Sequence, residues 1–192
     1  MSHQWLRAEY LKNSILGYNS IEDYTYQIIW FAFDIHGEHI RSQEDYNRIL
    51  KLCNYRNLNK MLEKNKEAKE LKDIIDTYRF SNEIIYLRDT LANNLKHRGN
   101  LRFYGLERPK AGYGEKNELG ELVFDSKWIQ PVTVDIDETI TKLANIHKKA
   151  LKFVNDVINY IDFFNQFDQE ALEDGDLKPT FTKFHKKLNF YK

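Results

Sequence analysis

Residues 81–101 read SNEIIYLRDTLANNLKHRGNL, and this stretch sets the class of the fold. Ile84, Arg88, Leu91 and Leu95 recur at helical spacing, with Ile85, Leu87 and Ala92 beside them, so the pattern predicts one amphipathic helix. Ser81 stands where an N-cap belongs and Gly99 where a helix ends. Arg88 falls in the middle of the apolar face. A guanidinium is seldom buried alone, because removing its water is costly. It is therefore expected either to be paired inside a polar pocket or to lie at a cleft or subunit interface.

On the N-terminal side of this helix, breakers are scarce. All three prolines and six of the eight glycines lie beyond residue 98, which predicts a helical first half. A first helix is expected over about residues 3–16, stopping near Gly17-Tyr18-Asn19. Ser20-Ile21-Glu22-Asp23 has the form of a capping box and starts a second helix that runs to about His36. That helix is apolar nearly all round, which predicts a central position. The run Asp34-Ile35-His36-Gly37-Glu38-His39 reads as a solvated loop, with Gly37 at a helix end and no second ligand cluster to complete a metal site. Ser42 with Asp45 repeats the cap signal before a helix ending near Asn54. Residues 57–79 read as one or two peripheral helices, with a solvated charged face over Lys60–Lys72.

On the C-terminal side, residues 100–131 hold most of the turn residues, with extended runs at 101–104 and 121–130. They predict an irregular insertion with a short hairpin. Asp135-Ile136-Asp137-Glu138 then opens a long helix, since carboxylates in the first turn suit the helix dipole. Ile136, Ile140, Leu143, His147, Ala150, Val154, Val157, Ile161 and Phe164 follow alternating spacings of four and three. They form a heptad seam, suited to bundle packing or to dimerisation, on a helix expected to reach about Phe167. The tail, ending TKFHKKLNFYK, is basic and aromatic and reads as a short final helix. The sum is one all-α domain, a helical bundle with long antiparallel helices and a loop-rich insertion at about 100–131.

Composition narrows the function. Lys plus Arg and Asp plus Glu are 29 each, so no global field draws in nucleic acid, and any such site is a local patch. The single cysteine, Cys53, excludes an internal disulfide and a cysteine-based zinc site within one chain, and it suits a reducing compartment. The start MSHQWLRAEYLK has no basic region followed by an apolar run, and the run from Ile28 to Phe33 is far too short to span a bilayer. The expected location is the cytoplasm, with no membrane partner.

The aromatic-rich segment YNSIEDYTYQIIWFAF and the later LRDTLANNLKHRGN, within this helical layout, resemble the HEPN superfamily (higher eukaryotes and prokaryotes nucleotide-binding domain). The resemblance implies an all-α homodimer with an RNA- or nucleotide-related role, as a binding or partner module in a bacterial defence or toxin–antitoxin setting. Active members of that family are metal-independent ribonucleases. They carry an arginine, a polar residue and a histidine, with four to six residues separating the arginine from the histidine. Here the positions a histidine would take after Arg88 hold Asn93, Asn94 and Leu95, and those an arginine would take before His97 hold Thr90, Leu91 and Ala92. On a continuous helix Arg88 and His97 also lie about 13 Å apart along the axis, at 1.5 Å per residue, and point in opposite directions. Asparagine cannot act as a general acid or base near neutral pH.

Three readings follow. As a binding module, the chain uses Arg88, Asn93, Asn94, Lys96, Arg98, Arg102 and Tyr104, with Arg108, Lys110, Phe103 and Tyr113 extending the basic and aromatic run. As a rearranged ribonuclease, it uses Arg88, Asp89, and His97 or His147, the last supplying the missing acid–base group from the long helix. A third reading is a scaffold that dimerises through the seam of residues 136–164. None needs a cofactor or a metal ion. The bland readings are a structurally paired Arg88, a register-setting His147, and cations that compensate a helix C-terminus.

Overall fold

The computed structural model of the chain describes residues 2–37, 39–97, 101–106, 115–116, 118–120, 122–123 and 132–162. Helices dominate it: α1 (Ser2–Ala32), α2 (Gln43–Leu52), α3 (Tyr55–Lys64), a 3₁₀ turn (Lys66–Ala68), α4 (Lys69–Arg79), α5 (Asn82–Ile85), a π-helical stretch (Tyr86–Ala92), α6 (Asn93–His97) and α7 (Ile136–Ile161). The strands are two residues each. β1 (Arg102–Phe103) pairs in parallel with β4 (Thr133–Val134), and β2 (Glu115–Lys116) pairs antiparallel with β3 (Leu122–Val123) as a hairpin. The all-α class and the short hairpin in the insertion are as expected. Among the described residues no helix is long and apolar enough to cross a membrane.

The first correction concerns α1, which runs unbroken through Gly17 instead of stopping there. Glycine inside a helix is worse than alanine by only about 1 kcal/mol. The turns on either side bury Leu11, Ile15, Tyr26 and Ile29, which outweighs that penalty. The Ser20 segment is therefore mid-helix and not a cap. Glu22 is buried there, 6% exposed. The helix stops at Asp34, whose φ is +50°. The Asp34 N–H donates to the Phe31 carbonyl and the Ile35 N–H to the Trp30 carbonyl. This is a Schellman closure with Asp in the place glycine usually takes, and its apolar ends Trp30 and Ile35 are both buried. The expected end at Gly37 lies three residues late for this reason.

Other caps follow the sequence. The Asp45 N–H donates to Ser42 Oγ at 3.1 Å, the Asn57 N–H to Asn54 Oδ1 at 3.1 Å, and the Glu138 N–H to Asp135 Oδ1 at 2.8 Å. Ser81 behaves differently: its hydroxyl donates back to the Tyr78 carbonyl at 2.9 Å. Gly99 and the tail beyond Asp162 lie outside the described residues.

The chain divides into two compact units, Met1–Asn19 with Asn82–His147, and Ser20–Ser81 with the chain from Lys148 onward. In the first unit Arg7 pairs with Asp137, and the Tyr18 hydroxyl bonds His147 Nδ1 at 3.0 Å, so α1 and α7 advance in the same direction. This corrects the expectation that the long helices are antiparallel. Only helices joined by a tight loop must reverse, and these two are separated by every other element. Ala8, Leu11 and Ile15 supply the α1 part of that unit's core, and Leu143 and Ile146 supply the α7 part.

The α7 seam is also re-registered. Ile136, Leu143, Ala150, Val157 and Ile161 are buried as expected, and Thr139, Ile146, Phe153 and Tyr160 are buried with them. Ile140 and His147 are exposed and Val154 is half-buried. The heptad period holds, but at Ile140, His147 and Val154 the second line shifts by one position: Ile146 and Phe153 bury more apolar area than a histidine and Val154 would. The seam is filled within one chain, so it is not left open for dimerisation.

In the second unit the buried Glu22 organises the polar interior. Its Oε1 accepts from both the Tyr26 hydroxyl and Arg79 Nη1. The Arg79 guanidinium lies 4.0 Å from the centroid of the Tyr55 ring, whose hydroxyl donates to Asp76 at 3.0 Å, and Lys72 pairs with the other Asp76 oxygen at 2.5 Å. Truncating one member of such a buried pair strands the other charge. Glu22→Ala is expected to lower stability by about 3 kcal/mol in urea unfolding, against about 0–1 kcal/mol for breaking the exposed Arg48–Asp45 pair. Gly17→Ala checks the continuity of α1. A Cβ there meets nothing within 4 Å, so the variant should gain about 0.5–1 kcal/mol, and a loss would mean a broken helix.

Burial pushes the Cys53 thiol up to about 11 and raises the Tyr26 and Tyr78 phenols, with Glu22 adding to both. These groups stay protonated in the fold while the unfolded chain ionises, so the native state holds more protons above the unfolded thiol's pKa. Stability should therefore fall as pH rises above about 9, and native Cys53 should resist thiol reagents at pH 8.

Candidate functional site

The segment Arg88-Asp89-Thr90 lies in the π-helical stretch, where the Asn93 N–H reaches back five residues to the Arg88 carbonyl. Such single-turn bulges inside helices recur at functional positions. Here the change of pitch moves Arg88 off the apolar stripe. Ile84, Leu87, Leu91 and Ala92 are buried, while the Arg88 side chain is 22% exposed and its Nε donates to Asp89 Oδ1 at 3.0 Å. Arg88 therefore sits at the margin of the core and not in its middle, paired with a carboxylate that is itself half exposed. An adjacent acid on the same helix is a partner that sequence spacing does not reveal.

Asn94 faces inward. It is 3% exposed, and its side-chain amide donates to the Thr90 carbonyl at 2.5 Å, which serves the irregular turn and leaves the amide out of a ligand's reach. Asn93 is half buried. Lys142 of α7 lies 4.6 Å from the centroid of the Tyr86 ring, on the same stretch as Arg88, and pairs with Glu138 at 2.7 Å.

His147 is exposed, and its Nδ1 is hydrogen-bonded to the Tyr18 phenol, whose ring meets it edge-on at 5.9 Å. Tyr18 was missed because the sequence places it at an expected helix end, and only the unbroken α1 turns it toward α7. His97 is exposed at the last residue of α6, beside the exposed Lys96. His36 Nδ1 is held 2.8 Å from Asp34 Oδ1 within the turn that closes α1, and His39 is exposed. Among the described residues there is no group of three or more metal-ligating side chains.

The basic and aromatic run resolves into a short strand. Along it Leu101 and Phe103 are buried, Arg102 is exposed, and Tyr104 is 62% exposed. Burial alternates along this extended segment, so Arg102 on β1 and Tyr104, the turn residue that follows it, both face solvent. The strand is fixed by backbone bonds. The Arg102 N–H donates to the Val132 carbonyl at 2.9 Å and the Tyr104 N–H to the Val134 carbonyl at 3.2 Å. Lys12 lies 5.7 Å from the centroid of the buried Phe103 ring beneath it. Arg98, Arg108, Lys110 and Tyr113 lie outside the described residues.

No protein family, curated protein or solved structure matches this chain.

Arg88→Ala should leave the helical circular dichroism intact and change stability by about 1 kcal/mol or less, because its pairing lies at a half-exposed margin. Loss of the fold in that variant would return Arg88 to a purely structural role in the core.

Proposed function

We propose that this chain is a non-catalytic RNA- or nucleotide-binding protein of HEPN-like type, working as a partner module in a bacterial defence or toxin–antitoxin setting. The observation that carries the binding reading is the shared solvent exposure of Arg102, on β1, and Tyr104, in the turn that follows it. This segment follows directly in sequence from the helix end that carries the exposed Lys96 and His97. A guanidinium two residues from an exposed phenol can neutralise a phosphate while the ring stacks on a base. Stacking and phosphate contact are tolerant of sequence, which suits single-stranded RNA. Zero net charge confines the interaction to this patch.

The same residues speak against catalysis. Arg88 is paired with Asp89, and the His147 ring is engaged by Tyr18. Proton transfer requires a titratable group within hydrogen-bond reach of the reacting atoms. The homodimer that the resemblance implies needs a face other than the filled α7 seam, and a monomeric mass in solution would remove it.

The test is fluorescence anisotropy with a labelled single-stranded RNA. Binding should weaken about tenfold between 50 and 200 mM salt, as release of counterions from a few phosphate contacts requires. Tyr104→Ala should weaken it by about tenfold through loss of stacking, and Arg102→Ala should flatten the salt dependence. RNA incubated with the protein in EDTA should stay intact. No binding at low salt would sink the reading, and cleavage abolished by Arg88→Ala would replace it with the ribonuclease.

A further inference from the structure

The second unit carries a groove that the RNA reading does not use. It has a volume of about 820 Å³ and lies between α4, with the 3₁₀ turn before it, and α7. Sites that hold drug-sized ligands run to roughly 300–1,000 Å³. Its floor is apolar: the Tyr78 and Phe153 rings stack face to face, with centroids 4.2 Å apart and planes at 5°, and Ile74 lies beside them.

Two contacts fix how the walls align. The Tyr160 hydroxyl donates to the Glu67 carbonyl at 3.3 Å, and Tyr78 stacks on Phe153. Residue 67 thus stands opposite 160 and residue 78 opposite 153, so within this unit α4 and α7 are antiparallel. This alignment sorts the lining charges along the groove. Glu67 and Glu70 stand at one end, with Lys69 as the cation among them, and Asp73 and Asp156 lie between that end and the Tyr78–Phe153 rings. Lys149 and Lys152 stand at the other end, opposite the uncharged Thr77 and Ser81. Lys152 also pairs with Asp156 at 2.6 Å, which places the change of sign within about one helical turn of Phe153.

We propose that this groove binds a short peptide segment of a partner protein, with a basic residue at one end, an acidic residue at the other and apolar side chains between. The length fits as well as the charge. From Glu67 to Ser81 the lining runs roughly 21 Å at 1.5 Å per residue, a span that five extended residues at about 3.3–3.6 Å each reach with the long charged side chains at their two ends. Their apolar side chains lie over the aromatic floor, and their end charges meet the opposite-signed ends of the groove. A uniformly anionic chain such as RNA would be repelled by the acidic end, so this site is separate from the exposed face of Arg102 and Tyr104.

Fluorescence polarisation with three labelled, end-blocked peptides tests it: Lys-Leu-Phe-Leu-Glu, Lys-Leu-Phe-Leu-Lys and Glu-Leu-Phe-Leu-Glu. The bipolar peptide should bind about tenfold tighter than either uniform one, and the advantage should shrink as salt screens the exposed charges. Lys149→Glu with Lys152→Glu, both on the groove's rim, should move the preference to the di-lysine peptide. No binding of any peptide up to millimolar concentration, or equal binding of all three to the wild-type chain, overturns the proposal. The wild-type result decides it even where the double variant fails to fold.

Discussion

The carboxylate of Glu22 is the constraint on which much of this structure turns. It is buried on α1, where an unpaired charge would be prohibitive, so a cation must be brought to it from elsewhere in the chain. Arg79 is that cation, and it sits at the last residue of α4. Once Arg79 is held, the Tyr55 ring beneath its guanidinium, the Tyr55 hydroxyl on Asp76 and the Lys72–Asp76 pair are held with it. The helix C-terminus is thereby fixed, and the Phe80–Ser81 turn leads straight into the helix that carries Arg88.

This explains why the two arginines have different characters. Arg79 is bound to a buried partner distant in sequence, and its role is structural. Arg88 is paired with its neighbour on a half-exposed surface, in a stretch where the helix adopts π pitch. The sequence pattern alone assigns burial to Arg88, because a regular 3.6-residue period puts it among Ile84, Leu91 and Leu95. The π stretch is a local departure from that period, and no propensity rule signals it.

Much of the architecture was legible. The scarcity of breakers before residue 98 announced the helices, the Ser42 and Asp135 caps marked two helix starts closely, and turn residues marked the insertion. Three features were hidden for physical reasons. Gly17 looked like a stop, but one glycine cannot break a helix whose neighbouring turns are buried. Glu22 looked like part of a cap, and its burial became visible only with that continuity. The α7 seam had the right period but was rotated by one position at alternate residues, because apolar side chains flank it on both sides and only packing chooses between them. The candidate site was read less well. Arg102 and Tyr104 were named for their chemistry, and their common face depends on strand pairing with Thr133–Val134, which lies beyond the reach of local pattern. Asn94 was named for its position in a motif, and burial claims it for the backbone.

The functional account rests on that common face: a guanidinium on β1 and the phenol of the turn that follows it, presented together to solvent. Ultraviolet crosslinking of the wild-type chain to a uridine-rich single strand, followed by mass spectrometry of the adducts, tests it most directly. The account predicts a nucleotide adduct on Tyr104 or on the peptide that carries Arg102 to Tyr104, at low salt and with intact RNA. Adducts confined to other parts of the chain, or none at all, would contradict it.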